Sequence, residues 1–563
     1  MGQPKGSGQS YLKPLWHFLD VERPALWIIL VHSIGVGLLS LALPVAVQSL
    51  VNTVAFGTVL QPVFILTLVL LLCLSASAAL KVLQTLASEM LQRRIFVRYS
   101  MLIASRLPHL TREARRSQNV QEIVNRFFDI FLVQKALAFL LLEGLGLVLQ
   151  AALGLVLLAF YHPFLLAYGI ILMGCIGVIC LVLGRGAIQT AVRESSAKYA
   201  MAAWLEEMAR LPLALGSSSG NRQALERADK MAGVWLDARK SHFRKVFAQT
   251  VGTFGLQAVS SCVLLGFGGW LVIRKELSLG QLVAAELIVT GVLYSVAKMG
   301  KQFEAFYDVV AGLNKLQNIL DLPAEESEGR ALERAQEPWM IELKDASLRD
   351  LSTGRGLSKV SLKIQAGSRV LIRGSGGSGK SLLASLLYGA VTADSGQVLL
   401  QGQDARYLSA LEIKNHARLV QDLELIDGTI EENLLLGIGD RPLSEIDSAL
   451  SATGLLSTVS ELRDGLKASM SANGAPLANS QARRLMLARA QLARPSLLLI
   501  DKNSDWLQSP TQGQPPEVFL GRFFSSLPHC TIVVFADSDS ATAPVMKLFD
   551  QSYELSGGEV RRA

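Results

Sequence analysis

Ser368-Arg369-Val370-Leu371-Ile372-Arg373-Gly374-Ser375-Gly376-Gly377-Ser378-Gly379-Lys380-Ser381-Leu382 decides the fold of the C-terminal part of this chain. Ser368–Ile372 reads as a buried strand, and an apolar helix over Leu382–Tyr388 follows the loop. Between them, Gly374 to Ser381 match GxxxxGK[ST] in the strand–loop–helix context that this pattern requires. Gly374, Gly376, Gly377 and Gly379, with Ser375 and Ser378 between them, let backbone N–H groups approach phosphate oxygens closely. Lys380 reaches the outer phosphates, the Ser381 hydroxyl can hold Mg²⁺, and the helix opening at Leu382 adds its partial positive charge.

Downstream, Leu497-Leu498-Leu499-Ile500-Asp501 is a second buried strand ending in an acid. This is the Walker B pattern, whose carboxylate supplies the other Mg²⁺-side ligand. It follows Ala488-Arg489-Ala490-Gln491-Leu492-Ala493-Arg494-Pro495, and a further strand is expected over Thr531–Phe535.

Upstream the character of the chain changes. Residues 311–340 read as a charge-rich linker opening near Asp321-Leu322-Pro323, and before them apolar stretches dominate. Half of the 563 residues are hydrophobic and only 18% are charged; mean hydropathy is +0.35. A bilayer core takes roughly 20 apolar residues as helix. Six spans are expected, over 25–48, 59–84, 132–159, 163–184, 249–273 and 280–300. The run from Ala25 is long enough to span rather than to serve as a cleaved signal.

The net charge of +7 would fit a nucleic-acid partner, but the basic residues cluster between apolar segments. Arg93, Arg94, Arg98, Arg106, Arg112, Arg115 and Arg116 follow the second span. A longer basic series, Arg185 to Lys245, follows the fourth. The turns at 49–58 and 160–162 carry no Lys or Arg, so both ends are expected in the cytoplasm, with Arg274 and Lys275 a local exception. Each basic segment reads as a helix pair leaving the membrane, turning at about 107–118 and about 208–222. Such turns can meet a soluble domain.

Glu143 and Glu286 lie within apolar runs, where an ionisable group is costly and faces a cavity, a partner helix or the interface. Cys73, Cys175, Cys180, Cys262 and Cys530 form no CxxC or Cys/His ligand pattern and read as buried small hydrophobes.

Taken together, these motifs resemble an ABC exporter half of the type IV fold, over nearly the full length. Val420-Gln421-Asp422, followed by Asp427-Gly428-Thr429-Ile430-Glu431-Glu432-Asn433-Leu434, resembles the Q-loop segment of that family. The resemblance places Gln421 toward Mg²⁺ and the γ-phosphate, where it senses the turns of the membrane domain. Leu279-Gly280-Gln281-Leu282-Val283-Ala284 resembles the opening of the family's sixth span. No C39-type peptidase domain is read before the first span, so leader-peptide cutting is not implied.

The departures from the family concentrate at the chemistry. The LSGGQ signature is Leu477-Ala478-Asn479-Ser480-Gln481, without the hydroxyl at Ala478 and with bulk at Asn479 and Ser480. Leu555-Ser556-Gly557-Gly558-Glu559 imitates the signature but follows the last expected buried strand, and reads as a turn. Lys502 stands where the family has a water-activating glutamate, and an ammonium cannot act as that base. Asp537 stands at the switch histidine and Asp350 at the adenine-stacking aromatic. Asp505-Trp506-Leu507-Gln508 and Ala472 also differ. The reversed charges imply a Lys502–Asp537 salt bridge across the old catalytic position.

The expectation is therefore an all-α six-helix transmembrane domain followed by an α/β P-loop NTPase domain of the ABC type. Its parts are a segment over 1–24, the membrane domain over 25–310, the linker over 311–340 and the cassette over 341–563. ATP and Mg²⁺ are the expected ligands, held by Gly374 to Leu382, Gln421 and Asp501, with Ser381, Gln421 and Asp501 on the metal. Integral membrane insertion, in a bacterial inner membrane, and dimerisation with a second half follow from the resemblance. The main alternative is a pseudo-ATPase scaffold or regulator that does not transport; an ordinary active homodimeric exporter fits Lys502 and Asp537 poorly. Family relatives move lipids, peptides, proteins and drugs.

Overall fold

The computed structural model describes residues 12–56, 61–111, 114, 124–325, 329–333, 335–349, 356–501, 515–538 and 543–562. The chain divides into two units, Met1–Ala324 and Glu325–Ala563.

The first unit is helical. Five of its helical stretches are long and apolar enough to cross a membrane: Arg23–Val54, Gln61–His109, Arg126–Tyr161, Pro163–Leu183 and Ser218–Ile273. They cover the first five expected spans. The sixth, expected over 280–300, is the first half of one continuous helix, Leu279–Leu320. Among the described residues its apolar part is the shorter Leu279–Val292, and Lys298 and Lys301 then make it polar. Outward-facing Phe64, Leu72, Ile171 and Leu181 are exposed, as side chains that face lipid rather than water must be.

Two helices run far beyond a bilayer. Gln61–Arg106 has 46 residues and Ser218–Ile273 has 56. At about 1.5 Å per residue either exceeds twice the ~30 Å hydrocarbon core. The expected breakers end them: Leu107-Pro108-His109 is a 3₁₀ turn, and residues 211–217 break the second pair. The rest of the first turn, at 112–113 and 115–118, lies outside the described residues.

Glu143 sits in a π-helical turn, Leu140–Gly144, and lies 3.7 Å from Lys298, so it pairs with the neighbouring helix. Glu286 is half-buried. At the non-basic end, Arg274 stacks on Trp270 at 3.9 Å and lies 4.0 Å from Glu276, which gives the exceptional cation local partners. All five cysteines are free, as expected, but Cys530 alone is fully buried and Cys262 is exposed.

The expected linker over 311–340 needs correction at both ends. Residues 311–320 continue the helix, with Leu313, Leu316 and Ile319 buried against Ile130 and Val133. Leu332 and Trp339 are buried in the core of the second unit. Charge on one face concealed a helix whose apolar positions recur at three- and four-residue spacing.

The second unit holds two main sheets and a small third one that pairs β7 (Gly428–Thr429) with β8 (Ser469–Met470). One is antiparallel, ordered β2-β1-β4-β5 (β1 Ile341–Arg349, β2 Gly356–Ile364, β4 Ser395–Leu400, β5 Gln403–Asp404). The other is ordered β12-β11-β3-β10-β9-β6, with β3 Arg369–Gly374, β6 Ala417–Val420, β9 Leu497–Ile500, β10 Thr531–Asp537, β11 Gln551–Ser556 and β12 Glu559–Arg562. Its strands β11, β3, β10, β9 and β6 are mutually parallel. Both faces of this sheet are covered, which is why β9 is apolar throughout. Leu497 and Leu499 point into one core with Val370, Ile372, Val533 and Phe535. Leu498 and Ile500 point into the other with Phe519, Phe523 and Phe524.

Candidate functional site

The strand order alone assembles the site. In an open parallel sheet, ligands bind beyond the carboxyl ends of the strands. β3, β10, β9 and β6 are neighbours, in register Gly374↔Asp537, Val534↔Ile500 and Val420↔Ile500. Gly374 and Asp537 therefore close adjacent strands, and Asp501 and Gln421 begin the loops after the next two.

The loop after β3 turns through Gly377 and Gly379, at φ 78° and 109°, a backbone region that favours glycine. It then opens the helix Lys380–Leu387. A Cβ at Gly376 or Gly377 would meet nothing within 4 Å, so the rim of the loop is open. Behind it the packing is tight: a Cβ at Gly374 would lie 2.5 Å from Leu555 O and 2.6 Å from Ser378 Oγ. Ser378 Oγ is buried on this inner side of the loop, without a hydrogen-bond partner among the described residues. Leu382 is half-buried on the first turn of the helix, and Ser381 precedes it.

Lys380 is folded back into the loop. Its ammonium donates to Gly374 O at 2.5 Å, Ser375 O at 3.0 Å and Asp537 Oδ1 at 2.9 Å. The acid at the end of β10 is thus paired with the loop lysine. The expected partner of Asp537, Lys502, lies outside the described residues, as do Asp350 and Asp505-Trp506-Leu507-Gln508.

Asp501 is 2% exposed. Its N–H donates to Val420 O at 2.8 Å, and its Oδ2 accepts from Gln421 Nε2 at 3.0 Å. Ser381, Gln421 and Asp501 offer hard oxygen donors of the kind that suits Mg²⁺, which usually takes one or two carboxylates and completes its shell with phosphates and water. Among the described residues no group of three His, Cys, Asp or Glu could hold a metal unaided. A bound Mg²⁺–nucleotide would supply the anionic phosphates that this loop is shaped to cradle.

The segment after Gln421 is held by Asn433, whose role sequence reading did not assign. Asn433 is 1% exposed; its Oδ1 accepts from Ile426 N–H at 2.9 Å, and its Nδ2 donates to Ile426 O and Thr429 O, both at 3.0 Å. Thr429 and Glu432 form a capping box on the helix Ile430–Leu435. Arg489 anchors the same segment by donating to Glu424 O at 2.8 Å; burial lowers its pKa from the usual guanidinium range. Asp427 Oδ1 accepts from Ala472 N–H at 2.8 Å, which joins the Q-loop-like segment to the divergent loop at Ala472.

Leu477 is buried, and Asn479 begins the helix Asn479–Leu492 with Ala478 as its N-cap. Ala478 has no side-chain acceptor. Gln481 Oε1 accepts from Ala478 N–H at 2.8 Å, so only the returning half of a capping box exists. The Leu555–Glu559 run is the expected turn: Gly557 and Gly558, at φ 59° and 85°, join β11 to β12 with Ser556 opposite Glu559.

The comparisons agree with this geometry. Residues 357–504 match the family model "ABC transporter". The leukotoxin translocation ATP-binding protein LktB of Mannheimia haemolytica is 30% identical over 291 residues, 50% of this chain and 41% of LktB. LktB of Bibersteinia trehalosi matches to the same extent. The matched region thus spans under half the length of these relatives. The structure of a bacterial Atm1-family ABC exporter with ATP bound superposes with a TM-score of 0.82 at 18% identity, covering 96% of this chain and 95% of that one. Residues 357–504 thus form an ABC transporter domain, and the chain as a whole has the fold of an ABC exporter, a helical domain with membrane-length apolar helices followed by an α/β domain.

Proposed function

We propose that this chain is a subunit of an exporter that couples nucleotide binding, with weak hydrolysis of its own, to movement of a substrate across a bacterial inner membrane. The observation that carries the reading is the convergence of the Gly374–Ser381 loop, Asp501 and Gln421 on one sheet edge. Backbone N–H groups of the loop hold phosphate, Ser381 and Asp501 take the Mg²⁺ side, and Gln421 bridges that acid to the loop beyond.

The hydrolytic part of the proposal rests on residue type. Lys502 cannot accept a proton from water at neutral pH, and Asp537 offers no positive or neutral donor to a developing charge on the γ-phosphate. A second half with its own water-activating glutamate would carry most of the turnover. Its site would still receive Ala478-Asn479-Ser480 from this chain, if the two cassettes pair head to tail as the resemblance implies. The competing reading, a scaffold that binds nucleotide without transporting, is favoured by the ion pair that occupies Lys380.

The test is ATP binding and turnover by the purified full-length protein, alone and with a co-expressed second half. Binding without robust turnover alone, and turnover on addition of the second half, is expected. Robust hydrolysis by this chain alone defeats the proposal of impaired chemistry. Absence of nucleotide binding defeats the nucleotide reading itself.

A further inference from the structure

Three acceptors surround Lys380 Nζ, and one of them is a carboxylate from a strand 157 residues away in sequence. An ammonium has three protons, so these acceptors engage all of them. The lysine side chain is 13% exposed and the Asp537 side chain 70% exposed. The cation is therefore sunk in the loop, and the anion stands at its solvent side. A ligand phosphate that takes the lysine from solvent must come to the place where Asp537 Oδ1 now accepts.

A nucleotide chain has two parts in such a loop. The inner phosphates rest on backbone N–H groups, and the lysine serves the outer ones. Gly376 and Gly377 leave the rim of the loop open to such a chain. These features are indifferent to whether the ligand carries two phosphates or three. Asp537 is not indifferent. With a diphosphate, the carboxylate can remain beside the lysine and share it. A third phosphate raises the ligand's charge by about one negative unit, moves its nearly doubly charged end to within a few ångströms of that carboxylate and competes for the same protons. Like charges at this range repel appreciably even at a solvated surface. The register makes the arrangement hard to avoid, because Asp537 pairs with Gly374, the first residue of the loop.

We infer that Asp537 is a specificity-determining residue, and that it makes this site select a nucleoside diphosphate over the corresponding triphosphate. The inference rests on the nucleotide reading above and deepens it. The exposure of Asp537 allows screening by salt, so the discrimination is moderate, on the order of tenfold at low ionic strength, and shrinks as salt is added.

The test uses the full-length protein in detergent micelles, titrated calorimetrically with MgADP and with MgAMP-PNP, a triphosphate that is not turned over. The wild type is expected to bind MgADP about tenfold more tightly than MgAMP-PNP. Asp537→Asn is expected to bring the two within about threefold, chiefly by tightening MgAMP-PNP, since it removes the charge and keeps the shape. Asp537→Ser reports the same ratio if the first variant fails to fold. Equal affinities in the wild type, or an unchanged ratio in both variants, overturn the inference while leaving nucleotide binding intact. Failure of both nucleotides to bind wild type and variants alike overturns the inference together with the nucleotide reading.

Discussion

Gln421 Nε2 donates to Asp501 Oδ2 at 3.0 Å, tying the loop after β6 to the loop after β9. The Asp501 carboxylate is almost wholly buried, so this bond and the one from its own N–H to Val420 O fix where its oxygens point. A buried carboxylate held by a neighbouring amide has a fixed orientation, unlike a solvated charge.

Asp501→Asn should therefore weaken nucleotide binding in Mg²⁺ by about tenfold and change binding in EDTA little, because the amide keeps the shape and loses the anionic donor. Fluorescent-nucleotide titration with and without Mg²⁺ measures this. Equal losses in both conditions would mean that Asp501 supports the loop and does not serve the metal.

Lys502→Glu combined with Asp537→His should raise ATP turnover by about tenfold or more, since a positioned base contributes on the order of 10²–10⁴-fold when the rest of the site is sound. The signature at Ala478 keeps the gain toward the low end. Phosphate release by the purified double variant is the measurement, and turnover no higher than wild type counts against the assignment of these positions.

Ala478→Ser should stabilise the cassette by about 1 kcal/mol. Asn479–Leu492 begins with an N-cap that offers no side-chain oxygen, and a serine there satisfies one orphan backbone N–H. Thermal or denaturant unfolding of the cassette signal in the full-length protein reads the change. A destabilisation would show that the Gln481 contact to Ala478 N–H already defines the cap geometry.

Asp308, on the polar half of Leu279–Leu320, has its pKa pushed up to about 6, first by burial and then by Glu304 and Glu194, with Lys198 and Arg239 opposing. The folded state binds this proton more tightly than the unfolded state, where the ordinary value is near 4. Stability therefore falls as pH rises from about 4 to about 6 and stays at the lower level above that window. Asp308→Asn should raise the apparent unfolding temperature at pH 7.5 by about 2–4 °C, equivalent to about 1–2 kcal/mol. It should also flatten the dependence between about pH 4 and about pH 6. A variant less stable than wild type at pH 7.5 would assign the carboxylate a net stabilising role with Lys198 and Arg239.

Gly184→Ala should destabilise the helical unit by about 1–3 kcal/mol. The new Cβ would lie 2.4 Å from Cys180 O, 2.6 Å from Gln249 Nε2 and 2.9 Å from Tyr307 OH. The last two are a hydrogen-bonded pair at 3.1 Å, so the methyl must displace either that pair or the backbone. Detergent-resistant unfolding followed by intrinsic fluorescence measures the loss, and an unchanged transition would place the site in a region able to yield.

Much of this molecule was legible in the chain because its signals are local. Arg369 to Leu382 spell out strand, loop and helix within fifteen residues, since glycine conformation, a helix start and an apolar run each act over a few bonds. Apolar length marked the spans for the same reason, and the substitutions at Ala478, Lys502 and Asp537 are visible as residue types wherever they sit. Residues 311–320 and Trp339 were misjudged because burial depends on neighbours that composition does not name. Only the tertiary structure decided what pairs with what. Strand register sets Asp537 beside Gly374 and gives it Lys380, a pairing that residue types alone did not announce. Likewise, Gln421 and Asp501 meet because β6 and β9 are neighbours. Strand order is settled by packing across whole sheet faces, so no short stretch of sequence carries it.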